Sequence, residues 1–436
     1  MNYRTCSFYS LISFGLLIFQ LNAMEDGTLL QIGQMQQLCK DEECRQQSTL
    51  SLVASENHAP GVVLELLSSR VGDKTAEGTP GKRYYEDCQI VDEIESKAQT
   101  WCKELFGTDH ANVQPHSGSQ ANISVYKAVL EPGDTIMGLN LSGGGHLTHG
   151  YKGNLSGQMY KVIPYNVDPQ SEQFDYDTIE RLALMHNPKL IVAGASAYSR
   201  TIDFAKFADI AKKSNALLLV DIAHIAGLIA AKLHPSPVPH ADFITGTTFK
   251  TLRGPHGGFI LCKKEYAQAI DKAVMPGTQG SASFNKIAAQ GICFKLAQTE
   301  RFKQYQHQVI RNAQAMAQRF KELGYRIVAD GTDTHLFIVD LQPQGITGKQ
   351  AANELAQSGI TVTKSTIPYD TKSPLIGSGI RIGTAAITTR GLDKQDSIRL
   401  VDLIDTVIHN HDKADSIKTV REIIQTICLK HPIPVA

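Results

Sequence analysis

A chain of 436 residues is long enough for two domains around a large core, and its 42% hydrophobic and 20% charged content is that of an ordinary globular protein. Lysine plus arginine equals aspartate plus glutamate, 43 each, so the formal net charge is zero. That excludes the electrostatic footprint of a nucleic-acid or anionic-membrane binder, and any ligand must be recognised locally.

Arg4 precedes an apolar run from Leu11 to Leu21, and Leu21-Asn22-Ala23 has the form of a signal-peptidase site. Two readings stand: residues 1–23 are a signal peptide, or they are upstream sequence ahead of a true start at Met24. The run is too short for a stable membrane span, and no other segment could cross a bilayer. The eight cysteines, Cys6, Cys39, Cys44, Cys88, Cys102, Cys262, Cys293 and Cys428, include no C-x-x-C pair and no zinc-type spacing. They read as buried small hydrophobes in a reducing, cytoplasmic compartment, with no metal site. A cleaved leader would leave a secreted or periplasmic location open.

Gln114-Pro115-His116-Ser117-Gly118-Ser119 opens an amphipathic helix. Free amides at a helix N-terminus and two hydroxyls make a phosphate cradle, although a lone Ser-Gly is more often a plain N-cap. Gly143-Gly144-Gly145-His146 allows close backbone approach with an imidazole beyond it. The apolar runs 189–195 and 216–222 lack polar alternation, so as strands they are buried on both faces, as in a parallel sheet. Phe204 to Ser214 reads as a helix between them, completing a βαβ unit. Strands at 243–248 and 258–262 flank Lys250. This is an α/β domain with its site at strand ends. After about residue 300, Val309, Ala313, Met316, Phe320 and Leu323 form a helical stripe ended by Gly324. Strands at 326–329 and 335–341, a helix near 349–357 and a strand at 360–364 then suggest a smaller α+β domain.

Asp221 ends one apolar run, and Lys250 lies just beyond another. Charges at the ends of buried strands need partners. By spacing alone a structural ion pair is the commoner arrangement. A pyridoxal-phosphate (PLP) site needs the same parts: a lysine to bind the cofactor, a carboxylate to keep the ring nitrogen protonated, and a phosphate cradle.

Long stretches of the chain, from about residue 30 to 410, resemble serine hydroxymethyltransferase. They include 52–57 (LVASEN), 80–85 (PGKRYY), 111–119 (ANVQPHSGS), 146–150 (HLTHG), 220–227 (VDIAHIAG) and 378–384 (SGIRIGT). The resemblance implies fold-type I PLP-dependent transferase architecture, aspartate aminotransferase-like. An arm (24–80) would precede a large PLP-binding α/β domain (81–300) and a small C-terminal α+β domain (301–436). It implies a homodimer with shared active sites, PLP as cofactor, and tetrahydrofolate as co-substrate in the conversion of serine to glycine. Lys250 would be the Schiff-base lysine, Asp221 the ring-nitrogen partner, His224 the contact to the ring hydroxyl and His146 the imidazole stacked on the ring. Gly118 and Ser119 match phosphate binders, and Gly280 lies near a cross-dimer phosphate contact. Arg381 matches the clamp on the substrate carboxylate. Glu77 matches an acid–base residue, Tyr84 and Tyr85 the active-site tyrosines, and Leu141, Gly145 and Leu147 the backbone that meets the pterin.

Several positions depart from the family. Thr75 replaces a tyrosine and His256 an arginine, neighbours in the family whose joint loss looks like one event. Phe249 replaces a histidine beside the lysine, Glu86-Asp87 replace two glycines, and Gly143 stands where a polar residue is usual. Ser281 breaks a Gly-Gly-Pro run, and Ser365 replaces an asparagine that reads the pterin. Two alternatives to hydroxymethyl transfer follow: a folate-independent PLP aldolase or racemase-like enzyme, and a catalytically poor PLP-binding paralogue.

Overall fold

The computed structural model describes residues 26–434 apart from residue 412. The leader and start-site question at residues 1–23 lies outside the described residues.

Seven strands form the central sheet: β1 His110–Asn112, β2 Thr135–Leu139, β3 Lys161–Tyr165, β4 Leu190–Gly194, β5 Leu217–Asp221, β6 Phe243–Thr247 and β7 Gly258–Cys262. Their order is β1-β7-β6-β5-β4-β2-β3. Strands β2 to β6 run parallel, and the apolar runs of β4, β5 and β6 lack alternation because both faces are covered. Ile191, Ala193, Leu218 and Val220 enter one core, and Leu190, Val192 and Leu219 the other. The expected parallel sheet fails at β7, which pairs antiparallel with β6 and β1. The turn at 248–257 is too short for a crossover helix, so the chain returns as a hairpin with Lys250 in its connection, three residues beyond β6.

The helix expected after β4 spans Phe204–Lys213. Asp203 caps it, accepting from the Lys206 amide at 3.1 Å, and Phe204, Phe207 and Ile210 are buried.

A second sheet holds β8 Arg326–Ile327, β9 Leu336–Asp340, β10 Thr363–Ser365 and β11 Gly379–Gly383, antiparallel in the order β8-β9-β11-β10. The strand expected at 326–329 stops at Ile327 because Ala329 turns into the left-handed region, φ 54°. The sheet has its own core, entered by Phe337, Val339, Ile380 and Ile382. The helical stripe is as expected: Glu300–Glu322 is one helix, Val309, Ala313, Met316 and Phe320 are fully buried, and Gly324 follows at φ 84°. Phe302 at one end of this helix belongs to the first core and Phe320 at the other to the second. Leu50 and Leu52 also fill the second core, and Leu50–Ser51 pairs in parallel with Ile360–Thr361.

Cys39 and Cys44 depart from the expectation of buried thiols. Both are exposed, because the helix Asp26–Gln47 that carries them lies against neither core. Among the described residues, no helix is long and apolar enough to cross a membrane.

Candidate active site

The strand ends and helix starts converge on a cavity of about 170 Å³, lined among others by Ser117, Gly118, Ser119, His146, Asp221, His224, Phe249, Lys250 and His256. On one side, Ser117 caps the helix Gly118–Val129, its hydroxyl accepting from the Gln120 amide at 3.1 Å. Ser117 is thus the N-cap, used internally, while Gly118 and Ser119 line the cavity. Glycine is needed at 118 because a Cβ there would come within 2.7 Å of Thr247 Cγ2.

Asp221 ends β5 nearly buried, and its partner is not Lys250. Its Oδ2 accepts from His149 Nε2 at 3.0 Å and Asn122 Nδ2 at 2.9 Å, and its Oδ1 from the Ala223 amide at 2.9 Å. Burial works against the charged carboxylate, but His149, His146 and Asn122 outweigh it and hold the group below the ordinary aspartate range. His149 Nδ1 accepts from the His146 amide at 3.3 Å, so the ring proton sits on Nε2, facing Asp221. Asn122 is itself fixed by Thr148 and Thr245. The donor atoms of His146, His149 and Asp221 lie within 4.8 Å of one another, a ligand-like cluster that the expectation of no metal site did not foresee. Here the His149 N–H is used to hold a carboxylate.

Lys250 is buried, and burial lowers its ammonium to about 8, against the pull of Asp221. Its carbonyl accepts from Asn57 Nδ2 at 2.8 Å, which pins the turn. His146 is pushed down to about 4 by burial. Its Nδ1 accepts from the Thr148 amide at 3.3 Å, leaving Nε2 protonated. His224 is buried and neutral, its Nδ1 3.4 Å from Nε2 of His335, which reaches over from the second sheet.

A neighbouring cavity of about 210 Å³ gathers Leu141, Gly145, Ser196, Ser365 and Arg381, and it shares Ser196 with the first. Arg381, on β11, donates from Nη1 to the Ser196 carbonyl at 2.7 Å, while its buried Nε has no partner among the described residues. Burial lowers its guanidinium to about 10. A buried guanidinium with a donor to spare is a place for a carboxylate.

Other expected site residues do not line these cavities. Leu147, Tyr84 and Tyr85 are 45%, 74% and 46% exposed. Glu77 is half-buried beside Gly280, where a Cβ would come within 3.1 Å of Glu77 Oε1. Ser281 ties the Thr75 segment down, its hydroxyl accepting from the Ala76 amide at 3.0 Å. Within the chain, His256 stacks on Phe249, the two ring centroids lying 3.9 Å apart at 16°. His149, Asn122 and His335 were missed as site residues. His149 was visible in the 146–150 stretch, but nothing local tells that its ring turns toward β5.

PLP fits this site. The cavity offers a buried lysine that releases its proton near neutrality, a carboxylate held ionised, and a helix N-terminus with a free glycine amide and serine. A sequence model of the family described as Serine hydroxymethyltransferase matches residues 31–404. The mixed central sheet with helices on both faces is that family's fold-type I architecture. By this match over most of its length, the chain belongs to the serine hydroxymethyltransferase family.

Proposed function

We propose that the chain is a PLP-dependent serine hydroxymethyltransferase, interconverting serine plus tetrahydrofolate with glycine plus 5,10-methylenetetrahydrofolate. The observation that carries this reading is the junction at Ser196 of two cavities, one holding Lys250 and Asp221 and the other holding Arg381 with its spare Nε. When bound, PLP supplies an electron sink for the charge left at Cα as the Cα–Cβ bond of serine breaks. Lys250 is the proposed attachment point, since its amine loses its proton near pH 8 and becomes nucleophilic. Asp221, held ionised by His149 and Asn122, keeps a ring nitrogen protonated. His224, which lines the same cavity with its Nδ1 turned to His335, would contact the ring hydroxyl. Arg381 would bind and orient the substrate carboxylate through its spare Nε.

Glu77, Tyr84 and Tyr85 support a homodimer with shared sites: the tyrosines are exposed, Glu77 is half-buried, and none of the three lines the two cavities of its own chain. In the dimer they would enter the partner's site, Glu77 taking the proton of the serine hydroxyl.

Ser365 favours a second reading, a folate-independent PLP aldolase. Its hydroxyl donates to the Thr366 carbonyl at 2.9 Å, which leaves the cavity without that donor for a pterin. Incubation with PLP, L-serine and tetrahydrofolate should give glycine and methylenetetrahydrofolate in equal amounts. Glycine formed at an equal rate without folate would favour the second reading, and no glycine in either case would remove both.

A further inference from the structure

Phe249 and His256 are the two residues that line both the cofactor cavity and a second cavity of about 630 Å³. That larger space is walled by the N-terminal segment, including Asn57 and His58, and by Pro255. The two rings lie nearly flat on each other, centroids 3.9 Å apart at 16°. The stack therefore stands between the cofactor cavity and the larger space, with Phe249 half-buried and His256 on its exposed side.

We infer that Phe249 and His256 act as one stacked unit that closes the phosphate side of the cofactor cavity and couples cofactor retention to a proton on His256. The inference rests on the PLP reading of the site and goes beyond it. His256 lines the same cavity as Ser117, Gly118 and Ser119, where the helix N-terminus would take the phosphate. Lys250 and His116 line that cavity with it, and Lys286 of the helix Phe284–Ala297 also acts on its imidazole. Across the stack stand Glu56 and His58, with Glu42 and Arg45 paired to each other at 2.7 Å.

Burial, Lys286 and Lys250 lower the His256 imidazolium below its ordinary range. A phosphate dianion in the cavity offsets the positive charge of Lys250 and Lys286 and favours the protonated ring. The Phe249 face acts in the same direction, because a flat aromatic ring attracts a cation stacked on it. Binding of the phosphorylated cofactor thus takes up a proton at His256. By linkage, affinity is highest while His256 can be protonated and falls as the pH rises through its value in the bound state. The phosphate and Lys250 titrate as well, but equally in the native chain and in a variant carrying a permanent cation at 256.

The test measures PLP dissociation constants of full-length apoprotein at pH 6 and pH 8.5, for the native chain, His256→Arg and Phe249→Leu. Pyridoxal, which lacks the phosphate, is the control. The native chain should lose about tenfold more affinity than His256→Arg across this range, the scale of one charge-assisted contact to phosphate. Phe249→Leu should weaken PLP and flatten the difference, with an unchanged circular dichroism spectrum, and pyridoxal should not separate native from His256→Arg. Equal pH slopes in native and His256→Arg, or the same slope with pyridoxal, overturn the inference while leaving the cofactor reading intact. Absence of saturable PLP binding at either pH overturns the cofactor reading, and the inference with it.

Discussion

At Lys250 the physical argument is sharpest, since a buried amine is both disfavoured as a cation and chemically activated. The free amine grows as pH rises toward about 8 and saturates above it. Covalent capture of PLP, trapped with borohydride and read by peptide mass spectrometry, should follow that curve and fall on Lys250. A labelled peptide from another lysine would remove the assignment. The native chain also holds this proton less tightly than the unfolded one, whose lysine has a value near 10.5, so stability gains from this group as pH rises from about 8 toward 10.5. Arg381→Lys should raise the serine KM strongly, a loss on the order of 2–5 kcal/mol in a desolvated site, because a point charge cannot replace the planar fork. An unchanged KM would take the carboxylate role away. Asp221, His224 and Arg381 were legible because each stands in a long motif, and Lys250 because it lies just beyond an apolar run. His149, Asn122 and His335 were not, since their positions depend on which way rings and amides turn across strands far apart in the chain. His256 was legible as a departure, but its stacking partner could not be read from spacing.

Among the elements, the short hairpin 78–83 matters because it carries Glu77, Tyr84 and Tyr85 at its edges. Arg83 fastens it, donating to Glu95 at 2.6 Å and to Asp92 at 2.7 Å, and Gln114 of the loop before the cradle joins Glu95 at 2.8 Å. The Glu95 side chain is fully buried, so Glu95→Ala leaves a buried guanidinium short of its partner. Chemical denaturation should show a loss of about 3–5 kcal/mol, with Glu95→Gln losing less because it keeps the hydrogen bond. A loss below about 1 kcal/mol for Glu95→Ala would mean that the pair is dispensable. The apolar runs placed β4, β5, β6 and β7 to within a residue or two, since strands buried on both faces have no polar interruptions. What could not be read was direction: β7 has the same apolar pattern as its parallel neighbours, and only the length of the turn at 248–257 decides that it runs back.

For the molecule as a whole, the smaller sheet and its core were expected from residues after about 300, yet the core also takes Leu50 and Leu52. Two residues with no helical stripe around them give no sign of which sheet will receive them. Leu52→Ala, at a fully buried position, should destabilise by about 2–5 kcal/mol. Hydrogen exchange should show the loss first in β9 and β11, and protection lost first in β4 or β5 would place Leu52 in the other core. Arg390 strengthens the tie, donating to the carbonyls of Gln47, Thr49 and His431 and so joining the early segment to the end of the chain. This closure has a consequence in time. A ribosome makes Leu50 long before Ile360, its strand partner, and at ordinary rates of synthesis the interval is roughly 15 to 60 s. For that period the first core can close while Leu50 and Leu52 wait in the open, and a nascent chain halted before Ile360 should be cut by protease at 50–52 and resist cleavage in β4 to β6.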